Sequence, residues 1–276
     1  MEVFPHEGVH TPDPNELGGT VDEARRAALA GCEAVLFDLD GVLTPTAEVH
    51  MYAWRSMFTA LFAQLGTGAR YSDDDYYLRL DGKPRYAGVA DVLAFHGIEL
   101  PWGEPSDPPT ALTICGVGNR KNEEFERVLT ERGVQPFPGS VALLDALAAR
   151  GALTAVVSSS RNARPVLAAA GLTSRFPVIV DGVLAAEEGL AGKPAPDTYL
   201  RAAQLLGAAP QRTAIAEDAV SGVRAGAAGS FAVVVGVDRG AGEQALREAG
   251  ATVVVHDLAE LVPQTEEVST EGRHGR

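Results

Sequence analysis

Two aspartates one residue apart, Asp38 and Asp40, follow the apolar run Val35-Leu36-Phe37 and precede Gly41. Such a run reads as a buried strand, and a buried strand tolerates carboxylates only when each is paired or faces a cation. Residues i and i+2 of an extended segment point to one side, so the pair would place two negative charges at one strand tip. That is costly alone and useful beside a metal ion. One carboxylate could attack phosphorus and form an acyl phosphate, splitting a hard displacement into two easier ones. The other could act as general acid to the leaving oxygen and then as general base.

Three further polar groups fall where the apolar pattern predicts strand ends or a rigid loop. Ser158-Ser159-Ser160, followed by Arg161 and Asn162, closes the run Leu153 to Val157, and Glu217-Asp218 closes Thr213 to Ala216. Lys193 lies in the segment Gly192-Lys193-Pro194-Ala195-Pro196-Asp197. Asp38, Asp218 and a backbone carbonyl supply hard oxygen ligands suited to Mg²⁺, which would offset the repulsion between an anionic nucleophile and an anionic phosphate. Lys193 and Ser158 could hold phosphoryl oxygens, where transition-state charge resides. Each group alone has an ordinary reading: a turn, a capping serine, a surface lysine, carboxylates opening a helix. A calcium loop would need another Asp or Asn before Gly41 and a later Glu, where Leu39 and an apolar flank stand instead. The joint placement at strand ends, in this order, favours phosphoryl transfer.

The elements that must position these groups alternate. Strands are expected at Ala34–Leu39, Leu153–Ser158, Val178–Val180, Thr213–Ala216, Phe231–Val235 and Thr252–Val255. Helices are expected between them at Val141–Arg150, Asn162–Ala170, Thr198–Leu206, Val220–Ala228 and Glu243–Ala249, and ahead of the first strand at Val21–Ala30. Alternation of this kind predicts an α/β fold, a doubly wound, Rossmann-like parallel sheet with helices on both faces. The stretch 46–136 breaks it, with helical spacing at 48–65, 71–80, 86–96 and 121–132 and a proline-rich loop from Pro101 to Pro109. The expected organisation is a flexible arm over 1–20, a core over 21–45 and 137–262, a helical cap over 46–136 and a disordered tail over 263–276. Ligands of open α/β sheets bind at the carboxyl ends of strands, so a cap inserted just after Asp40 would cover the site as a lid.

Composition excludes several classes. The 276 residues carry a formal net charge of −14, which disfavours nucleic-acid partners. An anionic substrate would then need a local excess of cations. Two cysteines, Cys32 and Cys115, make neither a disulfide framework nor a zinc site. With no basic and apolar leader and no long apolar run, the expectation is a cytoplasmic protein without membrane contact, a monomer or weak dimer. Gly116-Val117-Gly118 lacks the third glycine and the preceding strand of a nucleotide loop.

Asp38-Leu39-Asp40-Gly41-Val42, Ser158, Lys193 and Glu217-Asp218 together resemble the haloacid dehalogenase superfamily of phosphotransferases, from about Ala34 to Leu261. The helical insertion matches its subclass with a small helical cap, and within that subclass the β-phosphoglucomutase family. The resemblance implies Asp38 as nucleophile and Asp40 as general acid/base, with Ser158 and Lys193 stabilising the phosphoryl group. It implies Mg²⁺ on Asp38, the Asp40 carbonyl and Asp218, with Glu217 close by or acting through water. Thr46-Ala47-Glu48-Val49-His50-Met51-Tyr52-Ala53-Trp54 resembles the family's hinge and first cap helix, which assigns Thr46, His50 and Trp54 to the site. Asp81-Gly82-Lys83-Pro84-Arg85 resembles the specificity loop: Gly82 belongs to it, and Arg85 falls on the arginine that holds the distal phosphate. Lys121 and Asn122 would line the sugar side, and Ser159, Ser160 and Asn162 would contact phosphate and sugar. Pro45 stands where the family has an acidic residue, and Asp81 where its loop tends to carry lysine.

The implied reaction converts β-glucose 1-phosphate to glucose 6-phosphate through glucose 1,6-bisphosphate, with a small phosphorylated sugar as the partner. A sugar-phosphate phosphatase with the same catalytic residues stands as the alternative.

Overall fold

A computed structural model of the chain describes residues 18–263. Most of the expected arm (1–17) and all but the first residue of the expected tail (264–276) lie outside the described residues. Helix α1 (Gly18–Ala27) leads into strand β1 (Ala34–Phe37). The remaining strands are β2 (Leu153–Val157), β3 (Val178–Val180), β4 (Thr213–Glu217), β5 (Val233–Val237) and β6 (Val253–Val255). They form one six-stranded sheet in the order β3-β2-β1-β4-β5-β6, every pairing parallel. Ala34 pairs with Leu153 on one side and Thr213 on the other, so β1, β2 and β4 start level and β2 and β4 run one residue further than β1.

The strands are apolar on both sides because both faces are covered. Val35 and Phe37 of β1, Val156 of β2 and Ala214 and Ala216 of β4 pack in a cluster with Leu143, Leu144 and Leu147 of α6 (Pro138–Ala149) and Val166 and Leu167 of α7 (Ala163–Ala169). The alternate residues Leu36, Ala155, Val157 and Ile215 pack on the other face. There they meet Tyr199, Ala202 and Ala203 of α9 (Asp197–Leu206), Val223 of α10 (Val220–Ala228) and Leu246 of α11 (Glu243–Ala249). The period-2 alternation of a strand thus divides one sequence run between two cores.

Between β1 and α6 the described elements are all helical. They are α2 (Thr46–Leu65), the single turn α3 (Asp73–Asp75) continued by a π-helical turn over Tyr76–Leu80, α4 (Arg85–Phe95) and α5 (Ile114–Arg132). They enclose a core of their own, with Trp54, Phe58, Leu61 and Phe62 of α2 against Val89, Val92 and Leu93 of α4 and Val117 of α5.

Some elements differ from the sequence expectation. The expected helix 71–80 is a short α-helix widened into the π turn. Helix α5 starts at Ile114 rather than Lys121, with Thr113 Oγ1 accepting from Gly116 N at 2.9 Å as its cap. The glycines that hid this turn serve close packing: a Cβ on Gly118 would lie 2.8 Å from the Tyr86 ring. Helix α8 (Gly182–Glu188), not expected at all, is started by Asp181, whose carboxylate accepts from Val183 N and Leu184 N. Helix α1 takes in residues 18–20 of the expected arm.

Candidate active site

The carboxyl ends of β1, β2 and β4 bring together Asp38, Ser158 and Glu217-Asp218. Asp38 N continues the ladder by donating to Ala216 O, and Ser158 N donates to Val180 O, so each residue stands one step beyond the sheet. Lys193 reaches in from the loop before α9, buried at 3% exposure. Its Nζ donates to Asp38 Oδ1 at 2.5 Å, Glu217 Oε2 at 2.7 Å and the Val157 carbonyl at 3.3 Å. The Tyr199 hydroxyl donates to the same Glu217 oxygen. A buried ammonium is tolerated only with such partners. Burial would lower the Lys193 pKa, but Asp38 and Glu217 overcome it and hold the ammonium well above its usual range.

Asp38, Glu217 and Asp218 each turn a carboxylate oxygen to within 4.8 Å of the others. Burial, then the charge of Glu217, pushes the Asp38 carboxyl well above the carboxylate range against the pull of Lys193. Burial, followed by Asp81, Glu217 and Asp38, does the same to Asp218. Too little positive charge reaches these acids from the chain itself. An all-oxygen donor set of this charge fits a hard divalent cation.

Asp40 is treated differently. Its Oδ1 accepts from the Thr46 hydroxyl, which in turn lies 2.8 Å from Thr44 Oγ1. His50 Nε2 lies 3.4 Å away, at the edge of bonding distance. Burial would raise the Asp40 carboxyl, but His50, the Thr46 bond and Lys121 outweigh it and hold it below the usual range. The two aspartates therefore differ in proton affinity because their neighbours differ. The loop that separates them depends on Gly41, at φ +89°; a Cβ there would sit 1.8 Å from Asp218 Oδ2.

The helical insertion supplies the opposite wall. His50 stacks on Phe125 with centroids 4.1 Å apart, and its Nδ1 is hydrogen-bonded by Lys121 Nζ. That ammonium also lies 5.0 Å from the Trp54 ring and 4.7 Å from Phe125. Burial, then the like charge of Arg85, pushes Lys121 well below the usual lysine range. Burial and Lys121 likewise lower His50, which favours the neutral ring. Arg85 donates to Asn122 Oδ1 at 2.6 Å, and Asn162 Nδ2 donates to the same oxygen at 2.5 Å.

Beside that Asn162–Asn122 bond, two more hydrogen bonds seat the insertion on the sheet domain: Ser159 Oγ donates to Gly82 O at 2.8 Å, and Ser221 Oγ to Asp81 O at 3.2 Å. The cavity between the insertion and the sheet measures about 70 Å³, well under the roughly 300–1,000 Å³ of a small-molecule site.

Asp38, Asp40, His50, Trp54, Gly82, Arg85, Lys121, Ser158, Ser159, Ser160, Glu217 and Asp218 all line that cavity. Four expected residues stand behind its wall instead. Thr46 and Lys193 are buried and act on Asp40, Asp38 and Glu217, while Asn122 and Asn162 bond to each other beside Arg85. Tyr76, Leu80, Asp81, Lys83, Arg161 and Ala219 line it without having been assigned to it. Of these, Arg161 carried a signal in its place next to the serine run, and Asp81 and Lys83 in the segment that resembles the specificity loop. Tyr76 and Asp81 arrive through the π turn, which has no sequence period.

A haloacid dehalogenase-like hydrolase family model matches residues 32–229. A β-phosphoglucomutase from Mycobacterium bovis is 51% identical over 238 residues, covering 83% of this chain and 91% of the relative. Among solved structures, β-phosphoglucomutase from Clostridium difficile superposes with a TM-score of 0.69 at 26% identity, covering 83% of this chain and 93% of that one. A mutant of CbbY from Rhodobacter sphaeroides, in complex with xylulose-(1,5)bisphosphate, gives 0.66 at 25% identity over 83% and 96%. The sheet order, the strand-end carboxylates and these matches agree with the motif resemblance, and the chain belongs to the haloacid dehalogenase-like hydrolase family.

Proposed function

We propose that the protein is a Mg²⁺-dependent sugar-phosphate mutase that converts β-glucose 1-phosphate to glucose 6-phosphate through glucose 1,6-bisphosphate. The observation that carries this reading is one cavity lined both by a carboxylate placed to attack and by an arginine: Asp38 on the sheet, Arg85 on the insertion. The β-phosphoglucomutase relative at 51% identity supports the same substrate.

Asp38 attacks the C1 phosphorus of bound glucose 1,6-bisphosphate. As the new P–O bond forms, the P–O bond to the sugar breaks, and Asp40 gives its proton to the departing sugar oxygen of glucose 6-phosphate. In the other half-reaction Asp40 takes a proton from the 6-hydroxyl of an incoming β-glucose 1-phosphate, whose oxygen attacks the phosphoaspartate; the bond from phosphorus to Asp38 breaks and the bisphosphate is regenerated. The lowered proton affinity of Asp40 keeps it ionised and so available to take that proton. Lys193 fixes the Asp38 oxygen and Ser158 offers a hydroxyl to the transferring group. Asp38, the Asp40 carbonyl and Asp218 would hold Mg²⁺, with Glu217 beside them; the ion supplies positive charge against the repulsion of nucleophile and phosphate.

Arg85, with Arg161 on the facing wall, grips the phosphate that is not reacting, through a planar fork suited to it. The bisphosphate must turn end for end between the half-reactions, and the small volume of the cavity calls for the insertion to open to admit it. With the insertion seated, water is kept from the phosphoaspartate.

Phosphorus NMR of the enzyme with Mg²⁺, β-glucose 1-phosphate and a trace of glucose 1,6-bisphosphate tests the proposal. Glucose 6-phosphate should accumulate. Release of inorganic phosphate alone would replace the mutase reading with the phosphatase.

A further inference from the structure

The loop that carries the two aspartates is held from outside by a side chain the reaction above does not use. From Leu39 to Thr44 nearly every carbonyl is engaged. Leu39 O accepts from Leu43 N and Thr44 N, Val42 O from Ser140 Oγ, Leu43 O from Phe137 N and Thr44 O from Gly41 N. Gly41 O accepts from Arg239 Nε at 3.0 Å. In this run only the Asp40 carbonyl accepts no hydrogen bond from the described residues. Gly41, at φ +89°, has no side chain to limit its conformation, so the bond from Arg239 fixes what the local chain leaves free.

Arg239 stands on the loop after β5, which β4 separates from β1 in the sheet. Its neighbour Asp238 gives that loop its shape: Asp238 N donates to Val255 O at 2.8 Å, and Asp238 Oδ1 accepts from Gly240 N and Gly242 N. The guanidinium then joins three places. Nε bonds Gly41 O, Nη1 donates to His256 O at 3.0 Å, and the plane lies 4.0 Å from the centroid of the Phe137 ring, where the chain returns from the insertion to α6. A planar fork holds such directions at once, and a compact ammonium does not. We propose that Arg239 is a positioning residue for phosphoryl transfer: by holding the Gly41 carbonyl it sets the Asp40–Gly41 peptide, and with it the Asp40 carbonyl that would meet Mg²⁺. The inference rests on the metal reading given above. Arg239 touches neither substrate nor ion in this scheme and acts through the backbone of the loop.

Mn²⁺ affinity by electron paramagnetic resonance, and kcat and KM for β-glucose 1-phosphate at saturating Mg²⁺, test this in wild type, R239A and R239K, each first checked for a cooperative melt. R239A should lose about 10- to 100-fold in Mn²⁺ affinity and in kcat, as loss of a group supporting a metal ligand does, with KM little changed. The side chain is part exposed beside a crevice of about 460 Å³, so added guanidinium ion at millimolar concentration should restore both in R239A, and methylammonium should not. R239K keeps the charge without the fork and should recover little of either; it decides alone if R239A does not fold. Mn²⁺ affinity does not depend on the substrate, so that arm stands even if the mutase reading fails. Unchanged Mn²⁺ affinity in R239A, a loss that guanidinium leaves in place, or full affinity in R239K overturns the positioning role and leaves the metal reading intact. A wild type that binds no Mn²⁺ overturns both.

Discussion

At the scale of single residues, the site rests on giving like groups unlike neighbours. Asp38 and Asp40 are chemically identical, but one faces two acids and a lysine, the other a threonine, a histidine and a second lysine. Exchanging Asp38 for Asn should lower turnover at least about a thousandfold with the fold intact by circular dichroism. Arg85→Ala should reduce kcat/KM for the sugar phosphate about 10- to 100-fold, the equivalent of a lost charged hydrogen bond. It should change hydrolysis of a small monophosphate far less, which separates gripping from chemistry. A pH prediction follows from the crowded acids. Asp38 and Asp218 are pushed well above their ordinary values, and Asp81 to about 7, chiefly by burial. Groups with raised values bind more protons folded than unfolded, so the metal-free protein loses stability as pH rises from about 4 towards 7 and beyond. A bound cation replaces those protons. The gain in Tm on adding Mg²⁺ should accordingly be larger at pH 8 than at pH 5 in paired thermal melts; equal gains would refute it.

At the scale of elements, the site is a meeting of strand ends and one turn of the insertion. Strands β1, β2 and β4 start level, which sets Asp38 beside Glu217 with Ser158 one residue further along, before any side chain chooses a rotamer. The loop after β1 turns through Gly41 in a conformation that L side chains rarely adopt. Gly41→Ala should cost about 1–2 kcal/mol in urea unfolding and should also weaken Mg²⁺ binding, because the added methyl displaces Asp218. A variant with unaltered Mg²⁺ affinity would show that Asp218 can move without loss. The Asp38 motif was legible because an apolar run ending in paired carboxylates has few other uses. The seating turn over 81–85 was legible only through family resemblance, since the π turn before it follows neither period. Helix α8 went unread because its start depends on a single capping aspartate, Asp181.

At the scale of the whole molecule, the sheet has two cores and the insertion a third. Damage far from the seam should therefore lower stability without altering the site. Leu246, fully buried on α11, tests this: Leu246→Ala should cost about 2–5 kcal/mol, read by urea denaturation, with KM unchanged at low temperature.

The chain by itself determined what is local or periodic: the alternation that makes a doubly wound sheet, the helical character of the insertion, and the types of group at the strand ends. These follow from spacing and from the cost of burying charge. Only the tertiary structure decided which of those groups face the cavity and which stand behind it, that Lys193 bridges Asp38 and Glu217, and that Asp81 lines the cavity. Those facts depend on contacts between residues far apart in sequence, and on distances of a few ångströms over which Coulomb forces change most. No spacing along the chain records them.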